Sequence, residues 1–181
     1  EVDPMMTFAK KAMRRFAQSE EGSMVVPVAL WTPVFLGLIL ATVELGTITI
    51  RHTALERAMD DTVRDVRLGN GAEDHAELKQ AICNSAKVLP NCDTTLKLEM
   101  VRLNMRAWQS PKKTADCYDE AEPYADQRTF DKSGDQDLMY LRACYKYKPI
   151  TPAGWLGSNL AKDNDGYAAL TSKSAFVVEP R

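Results

Sequence analysis

The chain has 181 residues, with 23 lysines and arginines against 25 aspartates and glutamates, a formal net charge of −2 and 27% charged residues. That balance provides no broad basic surface, so nucleic acid and other polyanions are excluded as expected partners. Neither internal repeats nor low-complexity tracts occur, and about 110 residues remain after the apolar segment and its extension, a usual size for one domain with its own core.

The N-terminal stretch, residues 1–22, contains FAKKAMRRFAQSEEG. Phe8, Ala12 and Phe16 recur every four residues beside Lys11, Arg14 and Arg15, which predicts a short helix with a weakly apolar face and a cationic one. Such a helix can lie on an anionic membrane surface or stay solvated as a tail. The first residue is Glu, so the sequence as given need not start where the protein does.

From Met24 through Val43 no Asp, Glu, Lys or Arg occurs. A helix that long crosses a hydrocarbon core of about 30 Å. The run exceeds a secretory signal core and lacks an A-x-A-like cleavage site after it, which favours an anchor over a signal peptide. Pro27 and Pro33 predict a kink or a loosened first turn. Glu44 ends the uncharged run: a carboxylate in an apolar helix is costly unless paired, which makes it a functional candidate, unless the span stops at Val43 and Glu44 simply reaches water. Basic residues balance across the span, Lys10, Lys11, Arg14 and Arg15 before it and Arg51, Arg57, Arg64 and Arg67 after it, so the positive-inside rule does not orient it.

The helical pattern continues through ITIRHTALERAMDDTVRDVRLG. Ile48, Leu55, Met59, Val63 and Val66 fall on roughly one face, with i,i+4 pairs Arg57/Asp61 and Asp60/Arg64 elsewhere, and Gly69-Asn70-Gly71 ends the helix. Leu55, Met59, Val63 and Val66 are therefore interface candidates, for the chain's own domain, a sibling subunit or both. The expected division is 1–22 leader, 23–50 transmembrane helix, 51–69 amphipathic extension and 70–181 folded domain.

That last part reads as α+β. A helix is predicted over 73–88, with Ala76, Leu78, Ile82 and Ala86 inward, and strands over 95–105, 137–148 and 173–178. In the second strand Met139, Leu141, Ala143, Tyr145 and Tyr147 alternate with Arg142, Lys146 and Lys148, which puts Cys144 on the more polar face. A further short helix is expected over 152–162, with Thr151 as N-cap and Pro152 in the first position. The four cysteines, Cys83, Cys92, Cys117 and Cys144, show no C-x-x-C spacing, so two disulfides in an oxidising compartment are expected, with the domain outside the cytoplasm. Three pairings are possible; the sequential one, Cys83–Cys92 and Cys117–Cys144, needs only local closure. The second bridge would restrain the polar loop from Ser110 to Ser133.

Motifs for chemistry are missing: no G-x-S-x-G, S-x-x-K, H-E-x-x-H or glycine-rich phosphate loop occurs. No enzymatic activity, cofactor or metal is expected. Asp163-Asn164-Asp165-Gly166 lacks the terminal glutamate of a calcium loop, because Ser172 stands there, and reads as a turn. The DKSGDQD segment, residues 131–137, fails in the same way. His52 has no second ligand and is expected to be solvated or interfacial. An envelope enzyme built on Asp116, Asp119 and Glu122 is the remotest alternative, since three acids in a polar loop are usually a solvated surface.

The basic leader ending Glu20-Glu21-Gly22, the helix containing Trp31-Thr32-Pro33 and the Val43-Glu44-Leu45-Gly46 sequence near its end resemble the TadE-like (TadE/TadG) minor pseudopilins of the tight-adherence pilus, a branch of the type IV pilus systems. The resemblance covers Arg14 to about Leu68. Downstream, Leu89-Pro90-Asn91-Cys92, Arg142-Ala143-Cys144-Tyr145 and Phe176-Val177-Val178-Glu179-Pro180 are similar to the periplasmic part of one such subgroup. The resemblance implies an inner-membrane, single-pass subunit with a cytoplasmic leader and a periplasmic domain, cleavage by a prepilin peptidase between Gly22 and Ser23, and other pilus subunits or pseudopilins as partners in assembling an adhesive appendage. The family usually carries glutamate at the fifth mature position, where this chain has Pro27, which supplies neither charge nor a backbone donor; Glu44 would take a pairing role much deeper along the helix. The alternative is an uncleaved, single-pass anchored periplasmic binding or sensory domain.

Overall fold

The computed structural model describes residues 13–15, 24–72, 74–108, 110, 111, 117, 136–151 and 154–179. Two compact units divide the chain, Glu1–Leu40 and Ala41–Arg181. Gly22 and Ser23, the expected processing site, lie outside the described residues, as do Asp116, Asp119 and Glu122. Of the leader only 13–15 are described, and they are helical.

Helix α1, Val25–Arg67, runs for 43 residues through both units. Pro27 falls in its first turn, where a missing N–H costs no intrahelical bond, and the helix continues through Pro33. In the first unit its described apolar side chains are exposed. An apolar window of mean hydropathy 2.1 has none of its residues buried, which makes this a candidate membrane span. Thr32 satisfies its hydroxyl inside the helix, donating to the Val28 carbonyl at 2.6 Å.

In the second unit, which is α+β, α1 becomes a wall of the core. Leu55, Ala58, Met59, Val63 and Val66 are all buried there. The chain's own domain, one of the options expected for Leu55, Met59, Val63 and Val66, packs on this stripe. Asn70 N–H donates to the Asp65 carbonyl and Gly69 N–H to that of Val66, both at 3.1 Å, with Gly69 at φ 72°. These two bonds form the Schellman termination that glycine permits. Gly71 is required for another reason, since a Cβ there would collide with the Val66 backbone nitrogen.

Helix α2, His75–Ser85, starts at Asp74, whose carboxylate accepts from His75 N–H at 2.8 Å, and contributes Leu78 and Ile82 to the core. A single turn, α3 (Cys92–Thr95), leads into β1 (Leu96–Leu103). Strand β2 is Leu138–Tyr147, α4 is Trp155–Asn159 and β3 is Ala168–Val177. The sheet is antiparallel in the order β1-β2-β3, with Leu98 opposite Ala143 and Ala143 opposite Ser172. On one face Leu96, Leu98, Met100, Met139, Leu141, Ala143, Tyr145, Leu170 and Phe176 join the stripe of α1 in one core. At the far end Glu179 N–H donates to the Arg67 carbonyl at 3.2 Å, and its carboxylate pairs with the Arg67 guanidinium at 3.0 Å. The end of β3 thus caps the end of α1.

Two elements differ from expectation. Strand β3 begins at Ala168 rather than at 173, because the turn before it pairs Lys162 with Ala168 and launches the strand early. Helix α4 is shorter than 152–162 and its N-cap is Gly154, not Thr151. The hydroxyl of Thr151 is committed elsewhere: it donates to Glu44.

The disulfides are Cys83–Cys92 and Cys117–Cys144, closing sequence separations of 9 and 27. Loop-closure entropy scales with the logarithm of loop length, so replacing the first pair by serines is expected to lower unfolding free energy by about 2.5 kcal/mol and the second by about 3.5 kcal/mol. Denaturant titration in detergent micelles measures both, and the longer loop should show the larger loss.

Candidate functional site

Glu44 follows the uncharged run directly, yet it is only 1% exposed. Its carboxylate accepts three hydrogen bonds from the turn that leaves β2: from Ile150 N–H at 3.2 Å, Thr151 N–H at 2.9 Å and the Thr151 hydroxyl at 3.1 Å. Protein surrounds it: Glu44 does not reach water as the second of its two readings has it, and hydrogen bonds from its own chain occupy the carboxylate. An ionised carboxylate can accept every one of these bonds without a cation, and charge-assisted bonds of this type are the stronger kind.

The helix face explains the placement. Glu44, Ile48, Arg51 and Leu55 succeed one another at intervals of four, three and four, and so share one side of α1. Leu55 is in the core, Ile48 packs against it, and Arg51 lies over the Tyr147 ring with its guanidinium carbon 5.3 Å from the centroid. Glu44 and Arg51 therefore grip the last residue of β2 and the turn beyond it from two levels of the helix. The signal available in sequence was that Glu44 stands four residues before Ile48, in register with the apolar stripe. Its partners could not be read there.

The other face of β2 is also covered. Arg142 is 3% and Lys146 8% exposed, so the more polar face of the strand is buried as well. Cys144 sits between them in its bridge to Cys117. Arg142 pairs with Glu99 at 3.3 Å and donates to the Tyr140 hydroxyl at 3.1 Å. Lys146 Nζ lies 3.3 Å from Asp163 Oδ2, while Asp163 Oδ1 accepts from Tyr167 N–H at 2.7 Å and Asp165 N–H at 3.1 Å. With Gly166 at φ 81°, this is the turn expected from Asp163-Asn164-Asp165-Gly166. Burial pushes the Asp163 carboxyl up, but the Tyr167 amide, Lys146 and the Asp165 amide together hold it below its ordinary value. Burial also raises the Tyr145 hydroxyl, against the opposing influence of Arg51 and Thr95; that hydroxyl donates to the Pro90 carbonyl at 2.9 Å.

These groups are arranged to hold strands together. Among the described residues no three His, Cys, Asp or Glu side chains gather into a possible metal site. His52 lies 3.7 Å from Glu56 on an open side of α1. An open groove of about 690 Å³ runs between Asp60, Arg64 and Arg67 of α1 and Leu138, Phe176 and Glu179, with Arg67 engaged by Glu179.

No protein family, curated protein or solved structure matches this chain. Fold and site define its class: one candidate membrane helix whose extension is a wall of a small α+β domain, clasped through Glu44 and braced by two disulfides.

Proposed function

We propose that the chain is a minor pseudopilin or accessory membrane subunit in the assembly of a Tad-type pilus, acting through subunit contacts and not through chemistry. The observation that carries this reading is the uninterrupted helix Val25–Arg67, bare of internal packing at one end and built into a folded domain at the other. The helix that offers the apolar run to a membrane also supplies Leu55, Met59 and Val63 to the core of the domain. The Glu20-Glu21-Gly22 leader end and the Val43-Glu44-Leu45-Gly46 sequence supply the family resemblance. Two disulfides suit a periplasmic domain, and the span then runs from a cytoplasmic leader through the inner membrane. Glu44 is not free for a neighbour's terminal amine in this reading, since three donors of its own chain already occupy it.

The processing step tests the proposal. Intact mass of the membrane-extracted protein from cells with an active prepilin peptidase should show Ser23 as the N-terminus. A full-length chain in those cells would overturn the pseudopilin reading and leave the anchored binding or sensory domain.

A further inference from the structure

We infer that the turn leaving β2, residues 148–151, rests in the lipid interface beside α1 and gives the domain a second point of contact with the bilayer. The inference depends on the membrane-span part of the proposal above and not on pilus assembly. Val43 closes the first uncharged run and Glu44 follows it one helical step, about 1.5 Å, further along the axis, so whatever Glu44 holds lies within side-chain reach of the end of that run. What it holds is the backbone of Ile150 and Thr151.

Backbone N–H groups at the edge of the hydrocarbon need partners from the protein, and the Glu44 carboxylate supplies them. The turn then carries its own lipid-compatible surface. The Ile150 side chain is 54% exposed, matching Leu45 at 56% and Ile50 at 58% on the adjoining helix. A single exposed isoleucine is ordinary on a water-facing surface; this one is held level with the end of the apolar run. Lys148, two residues earlier, is exposed and places its ammonium 4.7 Å from the Tyr167 ring centroid, a cation suited to the phosphate layer. The occupant of this surface is therefore the bilayer: acyl-chain ends of the headgroup region against Ile150, phosphates near Lys148.

The test uses the full chain with native disulfides in vesicles of phosphatidylethanolamine and phosphatidylglycerol. Ile150→Cys, Leu38→Cys in the span and Lys173→Cys on β3 each carry an environment-sensitive fluorophore, and the vesicles contain lipid with a nitroxide placed either shallow or deep. Position 150 should emit blue-shifted light and be quenched more by the shallow nitroxide; position 38 should be quenched more by the deep one, and position 173 by neither. A label at 150 that behaves like 173 while 38 is quenched overturns the inference and leaves the span intact. If 38 is not quenched, the span reading falls and the inference with it. Should Ile150→Cys fail to keep Cys83–Cys92 and Cys117–Cys144 by nonreducing mass mapping, Lys148→Cys serves in its place, with shallow quenching expected and its absence decisive against.

Discussion

Lys146→Met should lower unfolding free energy by about 3–5 kcal/mol, because it leaves a buried carboxylate without its cation. Methionine preserves the volume of the lysine stem, so the loss is electrostatic and not a cavity. The Asp163 side chain is 8% and the Lys146 side chain 9% exposed, with 3.3 Å between the charged atoms. Asp163→Asn should cost a comparable amount, though its Oδ1 can still accept from the Tyr167 and Asp165 amides. The double replacement should cost clearly less than the sum, since it removes both charges and leaves two neutral groups in contact. An additive result would mean that the two side chains do not interact. A pH titration separates the carboxylate further. The Asp163 carboxyl sits below its ordinary 3.8 in the folded protein, so its contribution is complete above that value and is lost as pH falls through the depressed folded value. The wild-type chain should lose stability on acidification below about pH 4, and Asp163→Asn should lack that part of the loss.

The alternation of side chains located the strands well and their environment badly. Leu96–Leu103 and Leu138–Tyr147 lie within the predicted limits of 95–105 and 137–148, because apolar residues at every second position mark a strand with one face on a core. The same alternation says which residues share a face but not whether a second layer covers the polar one. Arg142, Cys144 and Lys146 share that more polar face, and pairs with Glu99 and Asp163 and the bridge to Cys117 cover it. Ser172 and Ser174 interrupt the apolar pattern of β3, which hid its first five residues. Helix α4 was misplaced by one hydroxyl: Thr151 looks like an N-cap until Glu44 takes its side chain. Glu44 itself was visible as an anomaly, but its partners lie 106 and 107 residues away, and no local pattern encodes a contact at that distance. The apolar run at 24–43 was legible because its signal is composition alone.

Glu44→Ala is expected to cost about 4 kcal/mol, from two backbone N–H groups and one hydroxyl that lose their acceptor in a place water reaches poorly. Glu44→Gln should cost about half as much, since the amide oxygen still accepts while its NH₂ meets donors, and Thr151→Val about 1 kcal/mol for the hydroxyl bond alone. Unfolding in detergent micelles gives the totals, and hydrogen exchange shows where they arise. The Ile150 and Thr151 amides should lose protection in Glu44→Ala at a concentration of denaturant where Leu141 and Ala143, at the centre of β2, keep theirs. A carboxylate serving mainly a neighbouring subunit predicts the opposite pattern: unchanged stability and unchanged protection at 150 and 151, with assembly lost. The clasp reading predicts that fewer folded molecules accumulate and that any assembly defect follows from that deficit. If Glu44→Gln assembled poorly at full abundance with both amides still protected, the carboxylate would have a second partner outside the chain, and the internal clasp would be only its resting state.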